Sequence, residues 1–291
     1  MSGKSFKVRN VSISVADTVE DAKTNFANSL EHQAKVSITA RNQFLIGVSG
    51  GSLINTLAEE ILPKLRTDFK KWKIFFCDER MVPFDHPEST YGLYKEKLLG
   101  KFPGLTQETF VPVNTSLSVE EAAKDYESKL RSYFPYEYKD PLPSGQAHFP
   151  RFDCLLLGLG PDGHTCSLFP GHPLMKEKTL WVAPIKDSPK PPPERVTLTF
   201  PVLHKSRNII LFLTGEGKAD IIKRILVDCE KLPGFYINTT EPNCDVIWHL
   251  DAGAGSKIPR QKTILESLEP DLETMKDQTP IFPANSKDIA Y

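Results

Sequence analysis

The sequence predicts an α/β fold: a doubly wound, mostly parallel sheet with helices on both faces, a modified Rossmann-like arrangement in a single domain. Three observations carry that prediction. Short apolar runs of strand length, "FLIGV", "KIFFC", "FDCLLL" and "NIILFL", recur along the chain, and segments with helical spacing lie between them. Runs that are apolar at successive positions suit strands covered on both faces, which is how a parallel sheet is built. The chain has 291 residues, enough for one large core.

The elements follow in order. Val11, Ile13 and Val15 alternate with Ser12 and Ser14, the pattern of a strand with one buried face. Asp17 with Glu20 reads as a capping box opening a helix on which Val19, Ala22, Phe26 and Leu30 share a face. "FLIGV" is a covered strand, "SGGS" a turn, and Leu53, Leu57, Ile61 and Leu65 line one side of the next helix. "WKIFFC" is a strand that ends in "DERMV"; Ser118 with Glu121 caps a helix carrying Ala122, Tyr126 and Leu130; "FDCLLL" is again a strand. After a proline-rich stretch, "RVTLTF" alternates, "NIILFL" is a buried run, "GKADIIKRIL" is helical and "DVIWHL" is a last strand. The segments "FPYEYKDPLPSGQAHFP" and "KDSPKPPPER" hold too many prolines for helix and read as irregular connections. One domain over residues 1–255 is expected. Residues 256–291, polar with weak periodicity, read as a peripheral arm or partly disordered tail.

Charge and composition narrow the function. Lys and Arg number 36 against 37 Asp and Glu, a net charge of −1, so no global field favours nucleic acid or an anionic membrane, and any anion must be captured locally. No apolar stretch reaches bilayer length and no targeting signal stands out at either end. The five cysteines form no C-x-x-C pair, and Cys77 and Cys154 sit inside apolar runs. They read as reduced thiols of a cytoplasmic protein.

The stretch "RFDCLLLGLGPDGHTCSLFPGHP" holds Gly158, Gly160 and Gly163 in the order G-x-G-x-x-G after a strand, the pattern of a dinucleotide site. That fingerprint needs a long helix to follow, and Pro170, Gly171 and Pro173 interrupt it. The loop instead carries Asp162 and His164. In a parallel α/β sheet the ligand site forms at the carboxyl ends of the strands, and four unusual turns fall there. Ser49, Gly50, Gly51 and Ser52 offer backbone N–H groups and hydroxyls to an anion, although a plain tight turn has the same composition. Asp78, Glu79 and Arg80 are candidate acid, base or pairing groups. His164, on a glycine-rich loop where packing seldom needs a histidine, is a candidate general base. Lys218 in "TGEGKAD" begins a helix, where a cation gains from the dipole only if an anion lies between. This segment is not a P-loop, since Phe212 occupies the first glycine position and Ala219 the Ser/Thr position. Histidine and cysteine spacing implies no metal.

Taken together, "GVSGGSL", "FFCDERMVPFDHPESTYGLY", "LLLGLGPDGHTCSLFPGHP", "PPPERVTLTFPVL" and "TGEGKA" resemble the 6-phosphogluconolactonases, in the form found in animals, in the expected order from about residue 15 to about 250. The resemblance implies hydrolysis of 6-phosphoglucono-1,5-lactone to 6-phosphogluconate, the second step of the oxidative pentose phosphate pathway. It implies no metal or organic cofactor and a small sugar phosphate lactone as the ligand; a monomer with no nucleic-acid or membrane partner is the expectation. It further implies that His164 takes a proton from water, with Asp162 orienting it. The Ser49, Gly50 and Gly51 backbone with Arg195 and Lys218 would hold the phosphate, and Arg80 would lie on the phosphate or carbonyl side. One departure is Leu53-Ile54 where many members have Thr-Pro. Glucosamine-6-phosphate deaminases share the G-P-D-G-H loop but carry a glutamate where this chain has Phe169, and D-E-Y where it has Asp78, Glu79 and Arg80. A catalytically idle relative acting by binding is the other alternative.

Overall fold

The computed structural model describes residues 4–8, 10–134, 148–240 and 243–259. The proline-rich segment over 135–147 and all of the expected C-terminal arm beyond 259 lie outside them. The chain runs β1 (Lys4–Val8), β2 (Val11–Val15), α1 (Val19–Arg41), β3 (Phe44–Val48), α2 (Leu53–Thr56), β4 (Trp72–Phe76), β5 (Asp78–Arg80) and α3 (Thr90–Leu98). It continues with β6 (Phe110–Val111), α4 (Val119–Tyr133), β7 (Cys154–Leu157), β8 (Val182–Ile185), β9 (Arg195–Leu198), α5 (Phe200–Lys205), β10 (Asn208–Leu213), α6 (Ala219–Leu226), α7 (Pro233–Ile237) and β11 (Asp245–Leu250).

Eight strands form one sheet in the order β1-β2-β11-β10-β7-β3-β4-β6. Every neighbouring pair in it is parallel except β1 with β2. Because side chains alternate across a strand, the apolar runs feed two cores. Phe44, Ile46, Val48, Ile74, Phe76, Cys154 and Leu156 face α1, α2 and α3. Leu45, Phe75, Leu155, Leu157, Ile209 and Leu211 face α4, α6 and α7. Burying each such leucine or isoleucine stabilises the fold by about 1.5–3 kcal/mol relative to leaving it exposed, and truncating Leu156 to alanine would cost about 2–5 kcal/mol. The sheet is therefore doubly wound, as the periodicity predicts.

Three departures from the sequence reading have physical causes. The cap of α1 is Thr18 rather than Asp17: its hydroxyl accepts from the Asp21 N–H at 3.1 Å and donates to the Asp21 carboxylate at 2.8 Å, a reciprocal pair displaced by one residue. The helix after "SGGS" does not stay regular. It passes through a π turn at Leu57–Ile61 and a 3-10 turn at Leu62–Lys64, with Leu53, Leu57 and Ile61 still buried. The strand at "RVTLTF" forms but leaves the main sheet, where β9 pairs antiparallel with β5 and β8 in a separate three-stranded sheet. The expected Ser118 and Glu121 capping box of α4 is present in full.

The topology locates the crevice. From β3 the chain proceeds outward to β4 and β6; from β7, the neighbour of β3 on its other side, it proceeds to β10 and β11. The winding reverses between β3 and β7, so the turns that follow these two strands diverge and open a cleft.

Candidate active site

The turn after β3 supplies one wall of the cleft. Gly51 has φ +90°, and a Cβ added there would meet nothing within 4 Å, so the residue is required by its backbone conformation and leaves open space. The helix that follows has no side-chain cap at Ser52 and no acid in its first turn, which leaves the N–H groups of this segment available to an anion. Ser49 is buried and its Oγ has no well-formed hydrogen-bond partner.

The turn after β7 supplies the opposite wall and is closed on itself. Gly160 N–H donates to His164 O at 2.9 Å, Gly163 N–H to Gly160 O at 3.0 Å, and Thr165 Oγ1 to Gly158 O at 3.0 Å. The His164 ring lies directly over Gly160: a Cβ there would stand 2.0 Å from Cε1 and 2.1 Å from Nδ1. The other side of the ring packs on Phe169, with centroids 4.9 Å apart. Nδ1 is 2.5 Å from Asp162 Oδ1. An ionised carboxylate only accepts, so Nδ1 carries the proton and Nε2 keeps its lone pair. Burial pushes the His164 pKa below its ordinary value against the pull of Asp162, while hydrogen bonds from His164 and Lys190 outweigh desolvation and bring Asp162 down to about 2. The imidazole is therefore neutral and the carboxylate charged near neutral pH.

Two further turns complete the cleft. Arg80 Nη1 donates to the backbone oxygen of Glu88 at 3.0 Å and to its carboxylate at 2.9 Å, which leaves Nη2 without a protein partner among the described residues. Glu79, beside it, is fully buried and accepts from the N–H groups of Arg80, Thr90 and Tyr91 at 2.7–2.8 Å. It caps α3, and burial raises its pKa. Lys218 Nζ donates to Leu159 O at 2.6 Å, tying the start of α6 to the histidine loop, and desolvation lowers its pKa.

Ser49, Gly50, Gly51, Arg80, His164 and Lys218 line one cavity of about 270 Å³, joined by Asp78 and Cys166. Asp162 stands behind His164. Arg195 is not among the lining residues. Its buried guanidinium donates from Nη2 to Lys190 O at 3.0 Å and Pro191 O at 2.9 Å, from Nε to Pro192 O at 3.0 Å, and from Nη1 to Ser167 Oγ at 3.4 Å. Three successive carbonyls thus converge on a side chain that the resemblance implies binds phosphate, and of its five N–H groups one on Nη1 is left without a partner among the described residues. Lys190, which no sequence motif singles out, also reaches this site. Its Nζ lies 3.0 Å from Asp162 Oδ1, and the only signal for it was a lysine inside the proline-rich run before Arg195. A larger, open groove of about 700 Å³ runs along α3 past Phe84 and His86, and none of these residues lines it. Among the described residues no group of three His, Cys, Asp or Glu side chains is placed to hold a metal ion, and no helix is long and apolar enough to cross a membrane.

Comparison with known proteins gives concordant results. Residues 17–248 match the family described as glucosamine-6-phosphate isomerases/6-phosphogluconolactonase. The human protein named 6-phosphogluconolactonase is 45% identical over 247 residues, covering 83% of this chain and 92% of that one. The bovine protein of the same name is 46% identical over 248 residues, with the same coverage. Among solved structures, 6-phosphogluconolactonase from Trypanosoma brucei superposes with a TM-score of 0.72 at 27% identity, covering 87% of this chain and all of that one.

Proposed function

The chain belongs to the glucosamine-6-phosphate isomerase/6-phosphogluconolactonase family, and from that premise we propose that it hydrolyses 6-phospho-D-glucono-1,5-lactone to 6-phospho-D-gluconate with His164 as general base. The observation that carries the assignment is the 2.5 Å contact between His164 Nδ1 and Asp162, which turns the Nε2 lone pair toward the cavity. Water gives a proton to Nε2 as its oxygen bonds to the lactone carbonyl carbon. The carbonyl oxygen becomes an oxyanion in the positive field of Arg80, whose Nη2 has no protein partner among the described residues. When the bond from that carbon to the ring oxygen breaks, Nε2–H returns the proton to the ring oxygen, and the neutral imidazole is restored.

The phosphate end needs fixed donors. The N–H groups of Gly50 and Gly51, with Lys218, supply them, whereas the Ser49 N–H donates to Leu156 O at 3.0 Å; binding there holds the distant carbonyl in place. Arg195 acts on this site through the loop it organises. The family description covers deaminases as well, and Phe169 separates the two chemistries: the phenyl ring against His164 can neither carry a proton nor hold the imidazole by a hydrogen bond. The reaction draws on water and the chain's own groups. We further propose that the protein works as a cytoplasmic monomer with residues 1–255 as its catalytic unit. One chain supplies every wall of the cavity and all five cysteines are free thiols. Light scattering at enzyme-assay concentration tests the monomer.

The decisive measurement is acid release from freshly prepared lactone, followed above the spontaneous rate. Fast release by the wild-type protein that is abolished in His164→Ala supports the assignment, together with no ammonia from glucosamine 6-phosphate. Ammonia at a comparable rate refutes it in favour of the deaminase.

A further inference from the structure

Lys190 reaches the back of the catalytic histidine from a different part of the chain. Its Nζ is 3.0 Å from Asp162 Oδ1 and 3.1 Å from His164 Nδ1. Since Nδ1 already carries a proton toward Asp162, the ammonium donates to the carboxylate and stands beside the imidazole as a second cation. Its backbone is held: the Lys190 carbonyl accepts from Arg195 Nη2 at 3.0 Å and from Ser188 Oγ at 2.8 Å, and its N–H donates to Ser188 Oγ at 3.2 Å. A long, flexible side chain on a proline-rich loop is thereby delivered to one place.

We propose that Lys190 is a positioning residue for the hydrolysis, fixing Asp162 against Nδ1 and placing a positive charge where it opposes a lasting imidazolium. This rests on His164 as the base. Lysine, carboxylate and neutral imidazole balance in charge at rest. When water's proton arrives on Nε2, two cations lie within 3.1 Å of each other at Nδ1. The proton is then passed on to the ring oxygen rather than retained. The other charged groups around the imidazole are Asp78 and Arg80 from β5 and Lys218 from the start of α6. None of them contacts Nδ1, so the balance there is set by Asp162 and Lys190.

The test uses Lys190→Met and Lys190→Arg in the full chain. Two readouts are needed: the pH profile of kcat/KM, with spontaneous hydrolysis subtracted, and the His164 imidazole titration by NMR in ligand-free protein. Lys190→Met should move both upward by about one pH unit, lowering kcat/KM about tenfold on the acid side with a much smaller change on the plateau. Lys190→Arg should restore the wild-type profile. An unmoved titration and acid limb in Lys190→Met overturns the proposal. So does a rise in KM for the phosphorylated lactone alone with the titration unmoved, which would make Lys190 a phosphate contact. Absence of lactone hydrolysis by the wild type, with the His164 titration still shifting in Lys190→Met, would refute the lactonase reading and leave the charge balance standing.

Discussion

The two glycine-rich turns that face each other across the cleft, Ser49–Ser52 after β3 and Gly158–Thr165 after β7, have similar compositions and opposite uses of glycine. At Gly51 the neighbourhood is empty and the backbone conformation is what excludes other residues, at φ +90°. At Gly160 the conformation is ordinary and the neighbourhood is full, with the His164 ring where a Cβ would be. The first turn keeps N–H groups and space free for something that is not protein. The second fills its space with the His164 ring, the proposed base. A glycine pattern in sequence is thus ambiguous between making room for a ligand and making room for a residue, and that ambiguity is why G-x-G-x-x-G here resembles a dinucleotide site without the long helix one needs.

The comparison can be broken most directly on the β7 side. His164→Ala should lower kcat by about two to four powers of ten with product binding little changed, because base assistance acts in the transition state; a folded variant with near-normal kcat removes His164 from its role. Gly160→Ala should come close behind. Its methyl group would displace the imidazole from Asp162, and a misplaced catalytic group costs about 10²-fold. Stopped-flow or pH-stat kcat with an intact circular dichroism spectrum checks it, and wild-type turnover would mean that the crowding over Gly160 does not matter. On the β3 side the losses should appear in binding. Lys218→Ala is expected to weaken capture of the phosphorylated lactone by about 1.5–3 kcal/mol, as for a charge-assisted hydrogen bond, while unphosphorylated gluconolactone responds far less. Equal losses on both substrates would take the phosphate away from this wall.

The pH dependence gives a smaller effect. His164 is active when neutral and its pKa is lowered, so kcat/KM should remain near its plateau at pH 6.5 and fall only as pH drops through the depressed value. An acid limb centred above 6.5 contradicts a desolvated base. Smallest of all, Gly51→Ala meets open space and carries only backbone strain. It should lower stability by about 1–2 kcal/mol, read by denaturant titration. A collapse of folding would show that the turn after β3 is as crowded as the one after β7.

Residues whose role depends on their own segment are legible in the sequence. The alternating faces of Phe44 to Val48 and Cys154 to Leu157 follow from burial on both sides of a sheet, and the Ser118 capping box closes within four residues. His164 and Asp162 share a tight loop, so their pairing is local as well. Strands β1, β5, β6 and β8 and helices α3, α5 and α7 have no clear signal in the sequence. β6 is only two residues long and its partner β4 is distant in the chain, whereas β1 and β8 pair with the strands that follow them but show no clear alternation; the first N–H groups of α3 are met by Glu79, which stands on β5.

By itself the sequence determined the doubly wound sheet, the four turns at its carboxyl edge, and the resemblance from which His164 is proposed as the base, because periodicity and turn chemistry act over a few residues. Only the tertiary structure decided which charges meet. Lys190 is 26 residues from His164 along the chain and contacts its ring nitrogen. Arg195, implied at the phosphate by the resemblance, gathers the carbonyls of Lys190, Pro191 and Pro192. An irregular proline-rich loop has no period to read. Where it delivers a side chain depends on a buried guanidinium whose surroundings exist only after the two sheets have packed.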